Sequence, residues 1–375
     1  MRKILLFSLV LFSSANILAQ EKFDFTSLID LDATEIKSQD NTGTCWSYST
    51  TSFIESELIR LGKGRHDISE MYNVRFVYEE KALNFVGRHG KANFSQGSLS
   101  HDVMNSIREN GMVPDKHYTG LPNGEKKHNH DELETVLKSI VDGLVKSKVL
   151  SENWINAFMS VVDSYLGEAP EEFKYKGTKY TPESFAKEMG IDADDYVSIT
   201  SFSHKPFYSE FILNIPDNFS NGSFHNLPLN EYMQVIDKAL ENGFTLAWDA
   251  DVSERSFSSK EGIAVIPAKN RKDMTDEETQ QVCKQIIPEL EVTQENRQKE
   301  FNSQKTTDDH LMHITGKLKD QKGNIYYKVK NSWGTKRGID GYIYVSAAYM
   351  KMKSISVMVH KDALSSETKT KLNIK

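Results

Sequence analysis

Apolar side chains recur at Trp46, Phe53, Ile54, Leu58 and Leu61, with Glu55, Glu57 and Arg60 between them. That is the period of an amphipathic helix running from Cys45 to Leu61, and Gly62-Lys63-Gly64 ends it. The same pattern predicts helices at Ser69 to Leu83 and His101 to Arg108, then at Asp131 to Leu166, Thr181 to Met189 and Leu229 to Glu241. Between them the aromatic-rich stretch Tyr196 to Phe211 follows no single period, and Phe244 to Asp249 reads as a strand. The polar run Lys269 to Gln304 predicts a surface helix containing Cys283. Alternation then takes over, in strands at His310 to Leu318, Ile325 to Trp333, Gly341 to Ser346 and Lys353 to His360, with a turn at Gly323. Helices first and strands last predict an α+β fold of two lobes, without internal repeats.

Composition narrows the classes. The chain carries 46 basic and 53 acidic residues among 375, and no basic stripe that could follow a phosphate backbone, so nucleic acid is excluded as a partner. Arg2-Lys3, the apolar run Ile4 to Phe12 and the small residues before Ala19 read as a secretory signal over residues 1–19. The expectation is an exported protein, periplasmic or extracellular, with no membrane insertion after signal cleavage. Two cysteines, Cys45 and Cys283, do not make a disulfide scaffold, so stability must come from packing.

Cys45 opens its predicted helix, where unpaired N–H groups and the helix dipole favour thiolate over thiol. A base and an orienting amide stand far downstream, in Asp308-Asp309-His310 and in Asn331-Ser332-Trp333-Gly334. Two histidines compete for the role of base. Strand alternation puts His310, Met312, Ile314 and Gly316 on one face, and Val329, Asn331 and Trp333 on the inward face of the next strand. A base that bonds Asn331 is therefore His310, with Trp333 shielding the bond; His313 reads as a surface histidine or one behind the site. Cys283 has no acid–base partners in sequence and reads as an inert thiol. His128-Asn129-His130-Asp131 lacks a second ligand pair and reads as a solvated helix start, not a metal site. Asp308 and Asp309, at a strand start, read as exposed.

These residues resemble the papain-like cysteine peptidases. Gln39 stands six positions before Cys45, Gly43 two before it and Trp46 directly after; Gly316 follows His310 by six, and Asn331 opens the NSWG tetrapeptide. Thr42 and Thr44 replace two positions of the family's motif before the nucleophile, removing one of its usual cysteines. Cys45 and His310 lie about twice as far apart as the 130–150 residues of the compact enzymes, and with Trp248-Asp249-Ala250-Asp251 this resembles the bleomycin hydrolase and aminopeptidase C branch. The resemblance implies a papain-like two-lobed fold with large insertions: a helical lobe over about 20–115, an insertion over about 116–240, a β lobe over about 241–360 and a polar tail over 361–375. It implies peptide substrates, no cofactor, homo-oligomers in some relatives, and a Cys45, His310, Asn331 triad with Gln39 in the oxyanion hole. Gln96-Gly97-Ser98 resembles the stretch that contacts substrate backbone, which makes Gly97 and Ser98 substrate-binding candidates. Aminopeptidase, endopeptidase and other amide hydrolase activities stay open, as does a catalytically silent binding protein on the same fold.

Overall fold

A computed structural model describes residues 22–375, so the expected signal lies outside the described residues. Strand β1 (Phe25–Asp30) precedes three helices, α1 (Cys45–Arg60), α2 (Glu70–Gly87) and α3 (Ser100–Asn110). Ser69 starts α2 by accepting the Tyr72 N–H at 3.0 Å, satisfying one of the donors a helix start leaves open. The single helix expected from Asp131 to Leu166 is two, α4 (Asp131–Leu144) and α5 (Asn153–Leu166). The apolar stripe of α4 gives out at Val145, and Lys146-Ser147-Lys148 offers nothing to bury. A small hairpin, β2 (Phe173–Tyr175) and β3 (Thr178–Tyr180), and α6 (Pro182–Met189) complete this side.

The aromatic-rich stretch resolves into β4 (Tyr196–Thr200) and β5 (Glu210–Ile212), with β6 (Ser223–Asn226) following. Then come α7 (Leu229–Glu241), β7 (Leu246–Ala250), β8 (Phe257–Ser258), β9 (Ile263–Ala264), α8 (Asp276–Gln281) and α9 (Gln294–Asn302). The last part holds β10 (His310–Asp320), β11 (Ile325–Lys330), β12 (Tyr342–Ser346), α10 (Ala347–Lys353), β13 (Ser354–His360) and α11 (Ser366–Leu372). Eleven strands form one sheet in the order β5-β6-β4-β13-β7-β10-β11-β12-β9-β8, with β1 added to β10. Among the described residues no helix is long and apolar enough to cross a membrane.

Strand β10 is the wall between two cores. Leu311 faces the helical core with Trp46 and Phe53, while Met312 and Ile314 join Trp248, Val329 and Tyr349 in the β-side core. Helix α1 lies on the first face and is buried from Cys45 to Leu58. The polar positions read as its outward face are therefore inside, and each has partners, as buried charges must. Glu55 accepts from Thr34 and from the Ile68 N–H at 2.8 Å; Glu57 takes Arg60 through two bonds at 2.9 and 2.6 Å. Cys283 sits in a turn after α8, not in a surface helix, and its thiol donates to the Ser256 carbonyl at 3.2 Å in a buried site. The polar tail folds as α11 on the β side, with Leu372 buried, Lys371 on Glu231 at 3.1 Å and Lys369 on Asp362 at 2.8 Å.

Candidate active site

The chain before α1 is held by Gln96. Its Oε1 accepts the Gly43 N–H at 2.6 Å, its carbonyl accepts the Trp46 indole N–H at 2.9 Å, and its Nε2 donates to Glu134 at 2.8 Å. A Cβ on Gly43 would stand 2.9 Å from the Gln96 Cβ, which is why glycine is needed there. The Thr44 carbonyl takes the N–H groups of Ser47 and Tyr48 at 3.0 and 3.2 Å, while among the described residues nothing accepts the Cys45 N–H. An open donor thus lies beside the thiol, and the Leu311 N–H of β10 points at the sulfur from the other lobe.

Across from Cys45, His313 pairs with Lys330 in the ladder, so carrying that antiparallel register three residues further sets Trp333 against His310. The rings stack at 4.7 Å between centroids and 26° between planes. His310 Nε2 bonds Asn331 Oδ1 at 2.8 Å, and the Ser332 N–H donates to that same oxygen at 2.7 Å. An oxygen that already accepts there can only accept from the ring, so Nε2 carries the proton and Nδ1 keeps its lone pair. His313 is not on the surface: it is fully buried, with Nδ1 2.9 Å from the Ser52 hydroxyl of α1. Both faces of β10 are covered, so alternation separated the two histidines without telling which face was wet.

Gln39 is tied to the same segment. Its N–H donates to the Ser332 carbonyl at 2.8 Å, its Oε1 accepts the Ser332 hydroxyl at 2.6 Å, and its Nε2 donates to the Thr42 carbonyl at 2.6 Å. Among the described residues the second amide proton of Nε2 has no acceptor, beside the nucleophile loop. Ser98 donates its hydroxyl to Asp102 at 2.6 Å and is fully buried, so neither its side chain nor its backbone lies open to a substrate. The Gly97 carbonyl accepts from the buried Lys81, and a Cβ at Gly97 would fall inside the carboxylate of Asp217.

Electrostatics opposes what the helix N-terminus offers. Burial pushes the Cys45 thiol up to about 12, and Asp217, Asp308 and Asp249 push the same way; only the Leu311 N–H pulls it down. Burial also pushes His310 down to about 4, with Asn331 resisting. Burial thus works against the charged form of each group.

The sequence reading missed these carboxylates. Asp308, read as exposed, is largely buried against Asp217 and Asp249, and burial lifts it to about 7; Asp309 is the exposed one. Asp249 lies on β7 directly opposite Leu311 and is 2% exposed. A charged residue inside the apolar run Leu246-Ala247-Trp248 was the available signal. His128 and His130 stand 6.0 Å apart between ring centres, and among the described residues no group of three or more ligands is arranged for a metal. They begin α4 as expected, but His130 is buried and its neighbours clip onto Asn41, which bonds Asn129 at 3.0 Å and Asp131 at 2.7 Å.

A model of the peptidase C1-like family matches residues 95–375. Aminopeptidase C of Streptococcus thermophilus is 23% identical over 92% of this chain and 84% of its own length. Aminopeptidase G of Lactobacillus delbrueckii subsp. lactis is 24% identical over 90% of this chain and 83% of its own. Among solved structures, PepW from Lactobacillus rhamnosis superposes with a TM-score of 0.72 at 19% identity, covering 93% of this chain and 84% of that one, a likeness of fold.

Proposed function

The chain belongs to the peptidase C1-like family, in its papain-like aminopeptidase C branch, and from that premise we propose an exported cysteine aminopeptidase that works through Cys45, His310 and Asn331. His310 Nδ1 takes the thiol proton as sulfur attacks the scissile carbonyl. The imidazolium then gives that proton to the leaving amine as the carbon–nitrogen bond breaks, and water hydrolyses the thioester with His310 as base. The Cys45 N–H and the free Gln39 amide proton stabilise the tetrahedral oxyanion. Asn331 holds the ring, and Trp333 covers that bond. The observation that carries the reading is the His310 Nε2 to Asn331 Oδ1 bond of 2.8 Å beneath Trp333. It leaves Nδ1 unprotonated on a strand whose next N–H meets the Cys45 sulfur.

The test is cleavage of amino-acid p-nitroanilides and their N-acetyl counterparts under reductant. Cys45→Ser should lower kcat by about 10⁴-fold or more, and Gln39→Ala by about 10²–10³-fold. Cleavage that survives Cys45→Ser would overturn the mechanism, and a preference for blocked substrates would overturn the aminopeptidase reading in favour of an endopeptidase. Export rests on the leader at residues 1–19. A mature protein that keeps those residues after expression in its own host would end that part.

A further inference from the structure

Three carboxyl groups converge beside the nucleophile. Asp308 Oδ2 accepts the Asp217 N–H at 3.3 Å, and Asp249 adjoins Asp308 closely enough to share a proton. Asp249 is 2% exposed, and among the described residues its oxygens receive no donor beyond a proton shared with Asp308, while Asp308 Oδ1 lacks one as well. Buried acceptors in that state are rare and costly, and they mark a place where a donor belongs.

The local cations do not supply it. Lys81 is the basic group that bears on Asp217, and its ammonium is spent on the Ser95 and Gly97 carbonyls and shared with Asp102. No basic group bears appreciably on Asp249 or Asp308. The Asp217 carboxylate is half-buried and stands on the face of Gly97, where a side chain would otherwise be, with Asn93 reaching its Oδ1 at 3.5 Å. The cluster is thus negative, short of one donor-rich cation, and near enough to Cys45 to raise its thiol.

We propose that Asp217, backed by Asp308 and Asp249, anchors the free α-ammonium group of the substrate and so makes the enzyme count from the amino end. An ammonium has three N–H donors and one positive charge, which is what the three carboxyls lack. Asp217 also covers Gly97, so under this proposal the same side chain that rewards a free amine obstructs a peptide extended past it. Neutralising the cluster removes a charge that opposes thiolate formation, so docking of the correct end assists the nucleophile. The inference rests on the peptidase reading above and adds the residue that selects the substrate.

The experiment compares wild type with Asp217→Asn on alanine p-nitroanilide and on N-acetylalanine p-nitroanilide. The ratio of kcat/KM for the free over the blocked substrate should fall roughly 100-fold, mainly through KM, as expected when one partner of a desolvated charge pair is removed. Asp217→Glu should retain part of that ratio. An unchanged ratio, whether both rates drop or neither does, would overturn the proposal. Alaninamide binding to the Cys45→Ser protein reads the anchor without chemistry, and it should be lost when Asp217→Asn is added. Binding that survives this change also overturns the proposal. A wild type that cleaves neither substrate strikes the peptidase reading instead, while the alaninamide titration still decides the anchor.

Discussion

Two buried charged clusters flank the seam between α1 and β10, and they differ in balance. Behind the site, Lys37 and Lys330 meet Glu55 and Glu70. Lys37 bonds Glu70 at 2.8 Å, and Lys330 donates to Thr34 at 3.0 Å and Ser52 at 2.8 Å beside Glu55. Each buried carboxylate there faces a cation, Lys37 also pairing with the exposed Asp67 at 2.5 Å, and the network ties the segment before α1, both first helices and β11 together. In front of the site stand Asp217, Asp249 and Asp308, of which Asp217 alone has a lysine bearing on it, and that lysine, Lys81, is shared with Asp102. A balanced cluster fastens the lobes, whereas an unbalanced one, kept beside a nucleophile at a cost in stability, is shaped for something that arrives.

The largest effect should come from breaking the balanced side. Lys37→Met leaves the buried Glu55 and Glu70 without the cation that bears most on each, which typically costs about 3–5 kcal/mol, and urea unfolding should show a loss of that order. A change below about 1 kcal/mol would mean that the rear cluster does not hold the lobes.

The unbalanced side should respond with the opposite sign. Burial lifts Asp249 well above the usual carboxylate range and lifts Asp308 to about 7, so the folded chain keeps protons that the unfolded chain releases. Such groups favour folding fully at pH values below 3.8, the ordinary aspartate value, and that contribution is lost as pH rises through about 7. Asp249→Asn should therefore stabilise the chain by about 1–3 kcal/mol at pH 8 and by less at pH 5, seen as a higher Tm at the upper pH. Equal shifts at both values would show that the carboxyl is not held under electrostatic pressure.

A smaller effect sharpens the link to the nucleophile. Asp308→Asn removes one of the charges that raise Cys45, so the pH midpoint of its alkylation should move down by about one unit. An upward move would contradict the assigned coupling.

What was legible in the sequence follows the same division. His310 opens β10, and Asn331 and Trp333 directly follow its partner β11, so short spacing with alternation sufficed to join them. Cys45 and Gln39 could be read because the loop before a helix start is a local feature. Asp217 could not, since it lies in a stretch without a clear period and meets Gly97 only through the tertiary fold. Glu55 and His313 were misjudged for a shared reason: a polar residue at a helical or strand period is taken to face water, and here each element is covered on both sides.

The account stands most directly on iodoacetamide labelling of the reduced protein at pH 7, read by mass spectrometry. It predicts loss of activity in step with one adduct on Cys45, and a His310→Ala protein in which that adduct forms at least ten times more slowly, about 1.4 kcal/mol in barrier. Inactivation that tracks modification of Cys283, or a Cys45 rate indifferent to His310→Ala, would contradict it.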